Sequence, residues 1–319
     1  MRSEQLLEFE KPLVRLEQKL AQLKASSLED GEAQKSLDKI ESQLELLLKQ
    51  TFKELSPWQV TLLSRHPLRP HFKDYIPYLF EDFFEMHGDR AFGDDCAVVG
   101  GLASLGGHSV VVVGTQKGRS TKEKIERNFG MPRPEGYRKG LRLFNLAQRF
   151  KLPIITVIDT PGAFPGIDAE ERGQSEAIAK NILTMSGLRV PVISIIIGEG
   201  GSGGALALGV ADCLLMLEYS IFSVISPEGC AAILWGDQLQ AKTASGALQL
   251  TADKLLSHGI IDGVVKEPLG GAHRDLPSMA KDIKKILIEK LEGLVLLGES
   301  DLLNRRYEKY RRLGVWSEA

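Results

Sequence analysis

Residues 192–209 read VISIIIGEGGSGGALALG. The apolar run 192–197 has the length of a buried strand. Five glycines crowd behind it, Gly198, Gly200, Gly201, Gly203 and Gly204, and the alanine-rich 205–209 follows at once. That order predicts strand, tight turn, helix. Glycine lets the backbone take positive φ and approach a ligand closely. A helix starting there aims unpaired N–H groups and a positive dipole end into the turn. The segment reads as an anion or oxyanion site made of backbone.

The flanking sequence sets this turn in an α/β chain. PIITVID (153–159) is a second buried strand, ending in the turn TPGAFPG (160–166). Residues 97–105 and 109–114 form a hairpin across Gly106-Gly107-His108. Residues 213–217, 221–225 and 260–265 are further strands. Residues 137–150, 168–187, 251–258 and 276–296 are helical, and Ser226-Pro227-Glu228-Gly229 starts another helix. Apolar strands alternating with helices favour a parallel sheet. Both glycine turns then emerge at one carboxyl edge, where ligands bind.

Upstream, residues 4–55 are leucine-rich, charged and nearly free of glycine. Leu6, Leu13, Leu16, Leu20 and Leu23 form one stripe. Leu37, Ile40, Leu44, Leu47 or Leu48 and Phe52 form another. They predict two amphipathic helices joined near 26–31, packed on the chain's own body or on a partner. Ser56-Pro57 is a helix start, so the division is an arm, 1–55, and a main domain, 56–319.

Composition narrows the function classes. A net charge of −2 gives no reason to expect nucleic acid, and 43% hydrophobic residues suit an ordinary soluble globular protein. No apolar run approaches ~18 residues, so no membrane span is expected. MRSEQLLEFEK has no signal-like apolar region, which leads to the expectation of a cytoplasmic protein. Cys96, Cys213 and Cys230 are scattered without a CxxC, so reduced buried thiols and no metal are expected.

The turn meets several patterns at once. Gly198-x-Gly200-x-x-Gly203 is a formal dinucleotide fingerprint, with Glu218 at the end of the next strand. Gly200-x-Ser202-x-Gly204 is a formal nucleophile elbow, for which His258 or His273 would be the base; more plainly, Ser202 caps the helix. No Lys-Ser or Lys-Thr follows, which excludes a P-loop. An oxyanion hole, with N–H groups of Gly203 and Gly204 meeting one from the turn at Gly162 or Ala163, is the third reading. Purely structural glycines are the fourth. The segment 117–142 carries nine Lys or Arg against three Glu. Such a run is a solvated face or an attractor of phosphates and carboxylates. Lys117 and Arg119 stand out because a strand ends there.

VIDTPGAFPG (157–166), GEGGSGGALALG (198–209), SVISPEGCAAILW (223–235) and PLGGAH (268–273) resemble the α subunits of bacterial acetyl-CoA carboxylase carboxyltransferase. So do GTQKGR (114–119), NFGMPRPEGYRK (128–139) and the late NRRY (304–307). The resemblance covers nearly the whole chain. It implies a crotonase-like (ClpP/crotonase) spiral of β-β-α units, here with an N-terminal helical arm. It implies carboxyl transfer from carboxybiotin on a carrier protein to acetyl-CoA, giving malonyl-CoA for fatty-acid synthesis. The implied partners are a zinc-ribbon β subunit in an α2β2 assembly, the biotin carboxyl carrier protein and an ATP-using biotin carboxylase. The α chain of this family supplies the biotin side of the site, and β binds most of the acyl-CoA. None of the six methionines precedes Lys, so biotin is expected on another chain. The expected catalytic donors are Gly203, Gly204, Gly162 and Ala163. The expected substrate contacts are Gly201, Ser202, Phe164, Ser226, Pro227, Glu228, Gly229, Lys117 and Arg119.

Overall fold

The computed structural model describes residues 7–26 and 31–314; Leu6 and the joint at 27–30 lie outside it. Helices α1 (Lys11–Ser26) and α2 (Gly31–Phe52) form the arm. Then come α3 (Pro57–Ser64), α4 (Phe72–Leu79), β1 (Glu81–Glu85), β2 (Val98–Leu105) and β3 (His108–Thr115). Next are α5 (Thr121–Glu126), α6 (Pro134–Phe150), β4 (Ile154–Thr160), α7 (Ile167–Glu171) and α8 (Gln174–Ser186). β5 (Val192–Gly201), α9 (Ser202–Gly209), β6 (Cys213–Leu217), β7 (Ile221–Ser223) and α10 (Pro227–Trp235) follow. The chain closes with α11 (Ala241–Ala247), α12 (Ala252–Ser257), β8 (Gly263–Val265), α13 (Leu276–Val295) and α14 (Glu299–Arg311). Among the described residues no helix is long and apolar enough to cross a membrane.

The strands form one sheet in the order β1-β2-β3-β4-β5-β6-β8. The first three are antiparallel and the rest parallel. Alternate side chains of β5 feed two cores: Ile193, Ile195 and Ile197 face α4 and α13, while Val192 and Ile196 face α6, α8 and α9.

Two expectations need correcting. Residues 198–201 are strand, not turn. β6 pairs with β5 only as far as Ile196, and β7 takes over at Glu199–Gly201. That second partner satisfies the glycine backbone as sheet and delays the turn to Ser202. The helix expected over 168–187 is two helices, α7 and α8, broken at Gly173 with φ +81°.

The arm folds onto its own body. Leu13, Phe52 and Leu63 form a buried cluster with Phe9, Leu48 and Tyr219. Rings of Phe9 and Phe52, and of Phe52 and Tyr219, lie 6.0 and 5.9 Å apart.

Candidate functional site

β4 and β5 run side by side and end in the two turns. The turns touch. A Cβ on Gly201 would stand 2.1 Å from the Pro161 carbonyl oxygen, and one on Gly204 would stand 2.6 Å from both Ala163 N and Gly162 C. Real Cβ atoms do not approach so closely, so both positions require glycine. Gly203 and Gly204 lie in the first turn of α9, where backbone N–H groups lack an i−4 partner. Across from them, the Gly162 N–H is already donated to Thr160 Oγ1 at 3.2 Å. Phe164 N–H is donated to the Pro132 carbonyl at 3.0 Å. The N–H of Ala163, between them, meets no acceptor among the described residues. The structure thus brings Ala163, Gly203 and Gly204 together, and leaves Gly162 as their spacer.

The other expected contacts distribute around this edge. Ser202 holds φ +52° and is exposed at the mouth of a groove of about 310 Å³, with apolar walls from Leu206, Phe222 and Val224. Phe164 lies under the Arg133 guanidinium, 4.4 Å from its ring centroid. Ser226 caps α10, its Oγ accepting from the Gly229 N–H at 3.1 Å, with Pro227 in the first turn. Glu228 accepts from Arg65 Nη1 at 2.6 Å. Arg119 pairs with Asp74 at 2.5 Å on the rim of a 440 Å³ cavity.

Lys117 lines the same cavity with its ammonium already paired. Its ammonium lies 2.7 Å from Asp159 Oδ1 and 2.7 Å from Glu199 Oε2. Burial would push Lys117 down and Glu199 up. Asp159 and Glu199 outweigh burial at Lys117 and raise it, while Lys117 and Arg65 outweigh burial at Glu199 and lower it. Other cations of the basic segment are also engaged: Arg127 with the Cys96 carbonyl, Arg133 with Asp168, Arg138 with Asp89, and Lys139 with Asp94. The charge run therefore staples α6 and its approach to the loop at 87–97.

The dinucleotide and hydrolase patterns lose their partners. Glu218 accepts from Lys266 Nζ at 2.6 Å and from the Glu267 N–H. His258 lies 2.5 Å from Gln249 Oε1, and His273 sits beside Glu10. Neither histidine serves Ser202. Sequence reasoning missed Tyr137, whose buried hydroxyl would lie 2.9 Å from a Cβ on Gly204. Burial holds that phenol well above its ordinary value, so it is a neutral wall behind the turn.

Glu10, His66 and His273 are the described residues with metal-ligand spacing. The two rings are stacked, with centroids 4.2 Å apart and planes 20° apart. In-plane lone pairs from such rings do not converge on a metal about 2.0–2.1 Å from each nitrogen. The arrangement suits a shared carboxylate instead. Leu68 N–H donates to His66 Nδ1, which leaves the proton on Nε2, 3.2 Å from Glu10. Burial pushes the Glu10 carboxyl up, but the two imidazoles outweigh it and hold it at about 2. A value below the ordinary 4.5 contributes stability above pH 4.5 and loses it as pH falls toward 2. Glu10→Gln is expected to destabilise the chain near neutrality, with the gap closing over that acid window. Urea unfolding at stepped pH reads this, and a gap that ignores pH contradicts it.

Comparison with known proteins places this geometry. A family model described as acetyl co-enzyme A carboxylase carboxyltransferase-like matches residues 6–314. The acetyl-coenzyme A carboxylase carboxyl transferase subunit alpha of Methylococcus capsulatus is 54% identical over 313 residues, covering 98% of each chain. That of Geobacter metallireducens is 53% identical over 318 residues, covering 100% of both. Among solved structures, transcarboxylase 12S superposes with a TM-score of 0.58 at 20% identity, over 70% of this chain and 41% of that one. A Pseudomonas malonate decarboxylase heterodimer gives 0.55 at 20% identity, over 69% and 89%. These two likenesses carry the fold, which is crotonase-like α/β as expected.

Proposed function

The chain belongs to the acetyl-CoA carboxylase carboxyltransferase α-subunit family, and on that premise we propose that its two touching turns form the biotin-side oxyanion hole. It is the α half of the enzyme that forms malonyl-CoA from acetyl-CoA. Carboxybiotin, presented by a separate carrier protein, supplies the carboxyl group and a ureido nitrogen able to take the acetyl-CoA α-proton. The residues here do the holding. N–H groups of Ala163, Gly203 and Gly204 donate to the oxygen on which charge grows, with no reorganisation at the moment of reaction. The groove of Leu206, Phe222 and Val224 fits an apolar ring body with its polar edge at Ser202–Gly203, and it limits water. The close approach of Gly204 to Ala163 supports this reading, because it brings the backbones of the two turns together.

The second oxyanion, on the thioester, needs a second hole. We assign it to a zinc-ribbon β subunit in an α2β2 assembly, with ATP used by a separate biotin carboxylase, all in the cytoplasm. Exposed Val224, Ile233, Leu234 and Leu239 offer β an apolar face next to the groove. The direct test is co-expression with such a β chain, co-purification and an assay for malonyl-CoA. Ser202→Ala in that pair is expected to lose little activity, whereas deleting a hydrolase nucleophile costs about 10⁶-fold in kcat. A collapse of that size on Ser202→Ala would return the site to nucleophilic catalysis.

A further inference from the structure

We propose that Lys117 is a positioning residue that sets the spacing of the two oxyanion turns by neutralising the acids at their roots. The inference rests on the oxyanion reading above. Between Ile158 and Thr160 of β4, the facing strand runs from Ile196 to Gly200, so β5 bulges by two residues opposite Asp159. The Asp159 side chain fills that bulge. Its Oδ1 accepts the Glu199 N–H at 2.9 Å, and a Cβ on Gly198 would stand 2.4 Å from it. Asp159 lies one residue before the first turn, and Glu199 two before Gly201. The bulge therefore decides how far the turns stand apart, and it puts two carboxylates side by side, 2% and 7% exposed.

Two buried like charges do not stay together without a cation. Lys117 Nζ meets both at 2.7 Å. Its stem is fixed in turn, for a Cβ on Gly130, at φ +81°, would lie 2.5 Å from Lys117 Cγ. Arg65 extends the chain of pairs, 2.6 Å from the other oxygen of Glu199 and 2.6 Å from Glu228 at the start of α10. Three segments that border the site thus hang on two cations. Without Lys117 the acids repel or one takes a proton, and β4 and β5 shift at the point where their turns must meet.

The test uses the chain paired with a β subunit, assayed for malonyl-CoA. Lys117→Met is expected to lower kcat by about 10²-fold, the usual cost of displacing a reacting geometry by about 1 Å, with KM for acetyl-CoA little changed. Its activity should rise as pH is lowered and one acid is neutralised, a trend the wild type lacks. Adding Asp159→Asn removes the repulsion while keeping an acceptor for the Glu199 N–H, and it should restore most of kcat. A raised KM with kcat held would make Lys117 a substrate contact and overturn the proposal, as would a double variant as slow as the single. Should Lys117→Met alone fail to assemble, the double variant still decides, since an inactive but assembled double overturns the idea. A wild-type pair that makes no malonyl-CoA sinks the oxyanion reading and this inference with it. An active wild type with the adverse variants sinks only this inference.

Discussion

Gly204→Ala is expected to cost the carboxyl-transfer rate about 10²–10³-fold, the scale of losing one oxyanion donor. The same substitution at Gly203 is expected to be mild. Both variants keep their N–H, so the contrast isolates geometry. At 204 the new methyl would meet Ala163 N and Gly162 C at 2.6 Å and Tyr137 Oη at 2.9 Å, all of it backbone or a buried ring. Nothing there is a flexible chain end, so the turns must part. At 203 the nearest atom is Ile178 Cγ2 at 3.6 Å, an ordinary contact. Alanine is moreover the better helix former by up to about 1 kcal/mol. Gly204→Val should be at least as damaging as Gly204→Ala. Initial rates of malonyl-CoA formation, with gel filtration to confirm assembly with β, read the result. Full activity of Gly204→Ala would remove the turn from the mechanism. Equal damage at 203 and 204 would point instead to general disruption of α9.

This contrast also marks what the sequence made legible. PIITVID and VISIII announce their strands because each is predominantly apolar and both faces are buried. Ser56-Pro57 and Ser226-Pro227 announce their helices because the cap and the first turn are local chemistry. Gly203 and Gly204 read as turn residues, yet they lie in the first turn of α9, because the helix starts at Ser202 and not after the glycines. What escaped depends on distant partners. That Gly198, Gly200 and Gly201 are strand follows from β7, which arrives twenty residues later. That Lys117 is a half-buried tie follows from Glu199, 82 residues on. A lysine among eight other cations gives no local sign of its acids. Gly162 looked like a donor because it is a glycine in the turn. Thr160, two residues before it, takes up the N–H. The Glu10 cluster joins the turn before α1, the segment after α3 and the PLGGAH loop, and no spacing rule links those three.

Arg306, quoted above only as part of NRRY, carries the other large expected effect, on stability. It is 1% exposed, and all five of its N–H donors are engaged. Nε and Nη2 reach Asp212 at 2.8 and 2.6 Å; Nη1 reaches the carbonyls of Met185 and Leu188, and Nη2 that of Val190. Asp212 Oδ2 also accepts the N–H of Val192, the first residue of β5. One guanidinium therefore fastens α14 to the end of α8 and to the base of the strand that carries the glycines. Arg306→Met should fill much of the volume yet leave the buried Asp212 carboxylate without its cation and the Leu188 and Val190 carbonyls without their donor. Removing one member of a buried pair costs about 3–5 kcal/mol, mostly from the charge left behind. Urea unfolding of Arg306→Met should show that loss, and Arg306→Met combined with Asp212→Asn should recover part of it. Lysine does not reproduce the fork, so Arg306→Lys is also expected to destabilise. The glycine turn sits at the opposite end of β5, so kcat per folded molecule should hold at temperatures where both proteins are folded. A loss below about 1 kcal/mol, the range of an exposed ion pair, would mean that the pin is open to water and that α14 is held by its apolar contacts instead.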